Sequence, residues 1–338
     1  MYDAGRRART WGVLLLVIGG AAAAVGPVQR VSATPAGHGG WHFSKPYRIP
    51  HMRDAVNGIA CPTAKLCLAP SANKMFWTTK ATGGKGKWKN AALEDSQGGS
   101  VILTDVTCAS KNLCVAVDNL GNGFVATKPA GGKNAWHPVY ISSIEIESVG
   151  CSASGDCAAL DYYGNVFSTT TPSTGWTIGN KKVGTGAGSD GGVGCAHGLC
   201  AVTSGTNKIA TTTKPGSATW KVTKVKGSSQ WSDVACPSAH RCVAVGSPSF
   251  HGKVAVSKGA GGWKHASLGQ GGGGGVDCAS ASSCFIISDY FSSHPKASKH
   301  AWKPVAMPSL GSQTGVSCPT PRRCFIGTST NQFTVGNR

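Results

Sequence analysis

Fourteen cysteines fall into seven close pairs, and the pairs recur along the chain at nearly constant spacing. They are Cys61 and Cys67, Cys108 and Cys114, Cys151 and Cys157, Cys195 and Cys200, Cys236 and Cys242, Cys278 and Cys284, and Cys318 and Cys324. First members follow one another after 47, 43, 44, 41, 42 and 40 residues. A period in the low forties, copied this often, means that one supersecondary unit repeats and buries its apolar faces against its own copies.

The unit itself reads as four short strands. In the second copy, Asp105 to Cys108 leads into a five-residue turn, then Cys114 to Asp118, a polar break at Asn119 to Gly121, Gly123 to Thr127, a glycine-rich turn, and Trp136 to Tyr140. Apolar and β-branched residues alternate within these runs, and Gly, Asn, Asp or Pro separates them, as antiparallel hairpins require. Two residues before each first cysteine stands Val or Ile (Ile59, Val106, Val149, Val193, Val234, Val276, Val316), as a crowded innermost strand would want. Only 14% of residues are charged and 48 are Gly, which disfavours a helical repeat. The pattern predicts an all-β, seven-bladed β-propeller with four-stranded blades.

Tryptophans check the blade count. Trp88, Trp136, Trp176, Trp220, Trp263 and Trp302 each open a presumed outermost strand, but the seventh unit has none. Its chain runs out at Arg338 with length for three strands, whereas Trp41 precedes the first unit without a blade of its own. The N-terminal strand is therefore expected to close the last blade, which turns an open array into a ring without raw edges. An open solenoid is the alternative.

The first residues have the three-part layout of a secretory signal: Arg6, Arg7 and Arg9, an apolar stretch from Val13 to Val25, and a small-residue exit at Val31, Ser32 and Ala33. The expected organisation is a signal peptide at 1–33, a flexible linker at 34–40 and the propeller at 41–338. An uncleaved anchor is the competing reading, since Gly12 to Val28 approaches the lower length limit of a membrane span. Export implies an oxidising compartment, and cysteines at the two ends of a tight hairpin are close enough to bridge, so one disulfide per blade is expected. Zinc would need further ligands at suitable spacing, which the pairs lack, and no metal or cofactor is expected.

With Cys236 to Gly246 (Cys-Pro-Ser-Ala-His-Arg-Cys-Val-Ala-Val-Gly) and Phe167 to Trp176 laid out, residues 41–338 resemble the secreted Cys-pair repeat propellers of actinobacteria. Those are distantly similar to the Asp-box (BNR) propellers, which include sialidases and photosystem II assembly factors. An Asp box reads Ser-x-Asp-x-Gly-x-x-Trp. In this chain the Asp position holds Lys, Pro or Gly, and only the turn-to-Trp skeleton remains. A sialidase site would also need converging arginines, and Arg241, Arg322 and Arg323 sit instead in cysteine-closed turns.

Turns between strands one and two and between three and four open on one end of a propeller, the others on the opposite end. Lys65, Lys80, Lys85, Lys87, Lys111, Lys128, Lys133, Lys214, Lys258, Lys296, Lys299, Arg241, Arg322 and Arg323 map to the disulfide end. Glu94, Asp95, Asp105, Asp118, Glu145, Glu147, Asp161, Asp190, Asp233 and Asp289 map to the other. Asp156, Lys181, Lys182, Lys224 and Lys226 break the rule. The predicted ring is polarised, with a basic disulfide face.

At the acid-bearing end, Asp118 and Asp161 occupy equivalent places in neighbouring units, with Tyr162 and Tyr163 beside them and Glu147 at the preceding loop. Asp118, Asp161, Tyr162, Tyr163, Asp105 and Asp233 are the candidate ligand-binding residues. Asp118, Asp161 and Glu147 could alternatively serve as acid, base or nucleophile of a sialidase-like glycoside hydrolase or polysaccharide lyase. Against this stands the habit of Asp to cap a turn through its own backbone. Removing residues 1–33 takes away four arginines and one aspartate, leaving +16 of the formal +19. A basic exported protein suits anionic cell-wall polymer or polysaccharide rather than nucleic acid, for which no basic helix is visible. The leading expectation is a secreted or envelope-associated, non-catalytic binding or scaffold module, monomeric, touching a membrane only through an uncleaved N-terminus.

Overall fold

The computed structural model describes residues 40–338, apart from 185–190, 229, 247–250, 271–273, 288–289 and 311. The segment read as a signal and almost all of the linker lie outside the described residues. The rest forms seven antiparallel sheets in sequence order, as expected of a seven-bladed propeller.

The second blade shows the plan. Leu103–Ser110, Leu113–Asp118, Asn122–Ala126 and Trp136–Tyr140 pair in that order from the centre outward. Cys108 stands directly across from Cys114. Cys151 and Cys157, Cys195 and Cys200, and Cys278 and Cys284 are likewise opposed. Directly opposed residues of an antiparallel ladder approach closely enough for sulfur atoms to meet. All seven bridges are formed, one per blade. The first blade is the most abbreviated: its innermost strand is reduced to a bridge between Ala60 and Leu68.

The core is laid down between blades. Leu68, Met75 and Trp77 of the first blade pack with Val106, Cys114, Ala116, Phe124 and Trp136 of the second. Ala158, Leu160 and Val166 of the third pack with Cys200, Val202, Ala210 and Trp220 of the fourth. Buried alanines in the second strand, such as Ala116, Ala159, Ala201 and Ala244, let neighbouring sheets come together at close range. Each outer tryptophan seals the seam toward the preceding blade.

Closure follows the expectation drawn from Trp41. Strand β1 (His42–Phe43) adds to the outer side of the final strand, with His42 opposite Asn337 and Phe43 opposite Gly336. Strand β2 (Tyr47–Arg48) continues along the same edge opposite Phe333 and Gln332. A Cβ on Gly336 would lie 2.6 Å from the Phe43 ring, so this place on the last strand belongs to glycine. Trp41 is buried, edge-on to Phe285 and Phe291 of the sixth blade at ring separations of 5.2 and 5.4 Å. It is the tryptophan missing from the last unit.

One sequence expectation needs correction. Lys133 and Glu94, assigned to opposite ends by counting hairpins, form an ion pair at 2.7 Å. Strand twist accumulates from the centre of a blade outward, so the outer strands run around the perimeter and the strict two-face division of charge fails there. Asp190 and Asp289, also assigned to the acid-bearing end, lie outside the described residues.

Candidate functional site

Innermost strands line a channel of about 860 Å³ along the ring axis. On a strand, residues two apart share a face, so positions three and one before each first cysteine point into this channel. Most hold Gly, Ala, Ser or Thr. Asp105, Asp233 and Asp277 are the carboxylates among them.

Each of these three carboxyl groups ties two blades together. The Asp105 carboxylate accepts the N–H of Val106 at 2.7 Å in its own strand, and in the third blade the N–H of Val149 and the hydroxyl of Ser148, both at 3.0 Å. Asp233 accepts Val234 N–H at 2.8 Å and, from the sixth blade, Val276 N–H at 2.7 Å. Asp277 accepts Cys278 N–H at 2.7 Å and Cys318 N–H at 2.6 Å. Thr107 and Ser317 do the same with neutral hydroxyls, accepting the N–H of Cys151 and of Cys61. Inner strands of adjacent blades converge without forming a common ladder, so their inward N–H groups need such partners. Glycine in the blade before makes room: a Cβ on Gly192 would lie 1.9 Å from the Asp233 carboxyl, and one on Gly58 would lie 2.5 Å from that of Asp105.

Burial is the main influence on these groups and raises their pKa values. The N–H bonds pull the other way, and the neighbouring carboxylate adds a further rise for Asp105 and Asp233. The outcome is about 7 for Asp105 and about 6 for Asp233 and Asp277. Asp105 and Asp233, expected as ligand-binding residues, are thus brought into one channel, where their donors are backbone groups of the ring itself and, for Asp105, also the Ser148 hydroxyl. Asp277, one residue before its cysteine, was not singled out from the sequence.

Asp118 and Asp161 are buried in equivalent turns between second and third strands. One oxygen of Asp118 accepts the N–H of Leu120 and of Asn122 at 2.9 and 2.7 Å, and the other accepts the Asn122 side-chain amide at 2.9 Å. Asp161 repeats the set with Tyr163, Asn165 and the Asn165 amide at 3.0, 2.8 and 2.6 Å. These are Asx-type turns, each held by three bonds to one carboxylate. Neither Asp118 nor Asp161 lines the channel, whereas the half-buried Glu147 does, so the three do not share that cavity. Tyr162 and Tyr163 meet edge to face at 5.5 Å, with Tyr163 exposed. Among the described residues, no group of three or more His, Cys, Asp or Glu side chains could hold a metal ion, and no helix is long and apolar enough to cross a membrane.

At the disulfide end the turns after the third strands form a second recurring feature. Thr78, Ala126, Thr169 and Thr212 each stand opposite the second cysteine of their blade. Two residues on come Lys80, Lys128, Thr171 and Lys214, whose carbonyls each accept an N–H from three residues ahead at 2.7, 2.8, 3.0 and 3.1 Å. These side chains are exposed, and the same turn in other blades carries exposed Lys258 and His294. Cations therefore recur at equivalent places around this end.

No protein-family model matches the chain, and no curated protein matches it. Solved structures do. The chain is similar to the structure described as "YCF48 bound to D1 peptide", with a TM-score of 0.62 and 12% identity over 88% of this chain and 97% of that one. It is similar to the WD40 β-propeller domain of Doa1, with a TM-score of 0.64 and 10% identity over 88% and 97%. For a structure described as U3-55K the values are 0.67 and 7% over 87% and 98%. At these identities the likeness is one of fold: the chain is a seven-bladed propeller of the WD40-like shape. Fold of this kind hosts many unrelated tasks, so function has to be argued from the chain's own residues.

Proposed function

We propose that the protein is an extracellular, non-catalytic binding or scaffold propeller whose disulfide end adheres to anionic cell-envelope polymer or polysaccharide. The observation that carries this reading is the contrast between its two kinds of charge. The aspartates that an acid–base site would use are enclosed by turn and strand N–H groups, while Lys80, Lys128, Lys214 and Lys258 stand exposed around one end. A ring of like charges on a rigid frame attracts a polyanion at several points at once, and the attraction weakens with salt.

Other features support the same picture. Seven disulfides fit an oxidising compartment, and the layout of residues 1–33 fits export. The kinship with secreted actinobacterial repeat propellers, and through them with Asp-box proteins, belongs to this reading too, as do a monomeric state and the lack of any cofactor. Solved propellers of similar fold include one bound to a peptide and one in a structure described as the mitotic checkpoint complex, which suits a general task of holding partners.

Retention of the mature protein on columns of anionic cell-wall polymer tests the proposal. Binding at low salt that falls steadily as salt rises is expected, with much earlier elution of a variant carrying Lys80→Gln, Lys128→Gln, Lys214→Gln and Lys258→Gln. No retention of the unaltered protein at low salt would overturn it.

A further inference from the structure

All five large apolar side chains exposed among the described residues belong to the second and third blades: Ile102, Leu120, Tyr140, Tyr163 and Ile178, at 47 to 66% exposure. Ile178 lies within the outer strand of the third blade. The other four are at the end opposite the disulfides, on loops that hydrogen bonds link to one another. Ile102 exchanges bonds with Asn119, next to Leu120: its N–H donates to the Asn119 side chain at 2.8 Å and its carbonyl accepts Asn119 N–H at 2.9 Å. Gly121 accepts the N–H groups of Ile141 and Ser142, which directly follow Tyr140. Further along the same loop, Glu145 accepts the N–H of Tyr162 at 2.9 Å, beside Tyr163. Single exposed apolar residues need no explanation, but a group on linked loops of two of seven equivalent blades does.

Acidic side chains stand beside this surface in an otherwise basic protein. Glutamate occurs three times in the chain, as Glu94, Glu145 and Glu147. Glu145 lies on the loop that follows Tyr140, and Glu94 lies on the loop leading to Ile102, where it pairs with Lys133 at 2.7 Å, while Glu147 stands in the innermost strand Ile146–Cys151 and lines the channel. The acidic stretch ends at the third blade, where Lys182 stands opposite Asn165.

We propose that this surface is a docking site for a polypeptide segment that carries apolar side chains interspersed with Lys or Arg. Ile102 and Leu120 favour a polypeptide over a glycan, because sugars gain from flat aromatic faces and little from branched aliphatic tips. Glu145, together with Asp95 on the loop leading to Ile102, supplies complementary charge for a basic segment and repels the anionic polymers assigned to the other end. The inference rests on the reading of the protein as a binding module and gives it a second partner, so that two different molecules can be held on opposite ends of one ring.

The test is fluorescence anisotropy with three labelled peptides: one alternating Lys with Leu and Tyr, one with Glu in place of Lys, and one with Ser in place of Leu and Tyr. The first should bind saturably and the other two at least about tenfold more weakly. Leu120→Ser, Tyr140→Ser and Glu145→Gln should each weaken it, with Leu120→Ser and Tyr140→Ser costing about tenfold, as truncations of central apolar contacts do. All three positions lie in turns or at a strand end, and circular dichroism confirms that the variants fold. Equal binding of the basic peptides with and without apolar residues overturns the proposal. So does displacement of the peptide by a neutral cell-wall oligosaccharide, or a dimer of the unaltered protein that these substitutions dissolve. Retention on anionic polymer, measured on the same variants, should not change, which separates failure of this proposal from failure of the preceding one.

Discussion

Asp105, Asp233 and Asp277 do a job for which backbone alone has no device: they join strands that approach each other edge to edge at the hub of a wheel. The cost of enclosing a carboxyl group there is visible in its raised pKa. Folding favours the protonated form, since the folded values of about 6 to 7 lie above the ordinary 3.8. Stability from these groups is therefore complete below pH about 4 and is lost as pH rises through 6 to 7. The urea midpoint should fall between mildly acid buffer and pH about 8. Asp233→Ala should destabilise by about 1–3 kcal/mol in acid, where two N–H groups lose their acceptor, and by less as the pH rises. A variant whose pH profile parallels that of the unaltered protein would refute the assignment to Asp233. At this scale the sequence was least legible. Asp118, Asp161, Asp105 and Asp233 read alike as acids near hairpin turns, and only the neighbouring blade separates a turn cap from an inter-blade tie. A hint was present nonetheless: Gly58 and Gly192 stand where their counterparts one blade further on are Asp105 and Asp233, as a side chain reaching back across the seam would demand.

At the level of the element, the hairpin and its disulfide form a self-contained device. Each bridge spans five or six positions, so its effect on the unfolded chain is confined to a short loop, worth about 2 kcal/mol or less on a chain-entropy account. Replacing Cys151 and Cys157 together by Ala should lower stability by about that amount and leave the circular dichroism spectrum of the ring unchanged. Loss of the whole fold in that double variant would show that the bridges are required for assembly rather than reinforcement. The outer strand depends more on its tryptophan. Trp41→Ala should cost about 3–5 kcal/mol by opening a void between Phe285 and Phe291, measured as a shift in the denaturant midpoint. The indole nitrogens of Trp41, Trp136 and Trp220 are buried without hydrogen-bond partners, so shape and area, and not polar contact, explain these positions. That is also why the elements were readable in advance: cysteine spacing and a large aromatic ring are local signals, and both survive without knowledge of the neighbours.

Across the whole molecule, seven similar sheets give a frame with rotational order, and what distinguishes one blade from the next is carried on its loops. Cations recur around the disulfide end, whereas four of the five exposed large apolar residues gather on two blades at the other. The number of blades, the bridges and the joining of the two chain ends could be inferred from period and from the misplaced Trp41. The apolar surface could not, because Ile102, Leu120 and Tyr140 alternate in strands and turns just as buried residues do, and only packing tells the exposed from the enclosed. The ion pair of Lys133 with Glu94 escaped for a related reason, since a count of turns has no knowledge of how far a sheet rotates across its width.

The double attachment of β1 and β2 to the final strand also imposes an order of events. Translation delivers those two short segments first and their partner, Gln332–Asn337, last. Six blades can stack before it, but the seam must stay open, and until that strand arrives the ring is a split washer with two bare lips that can take wrong partners; the exposure ends the moment the circle shuts.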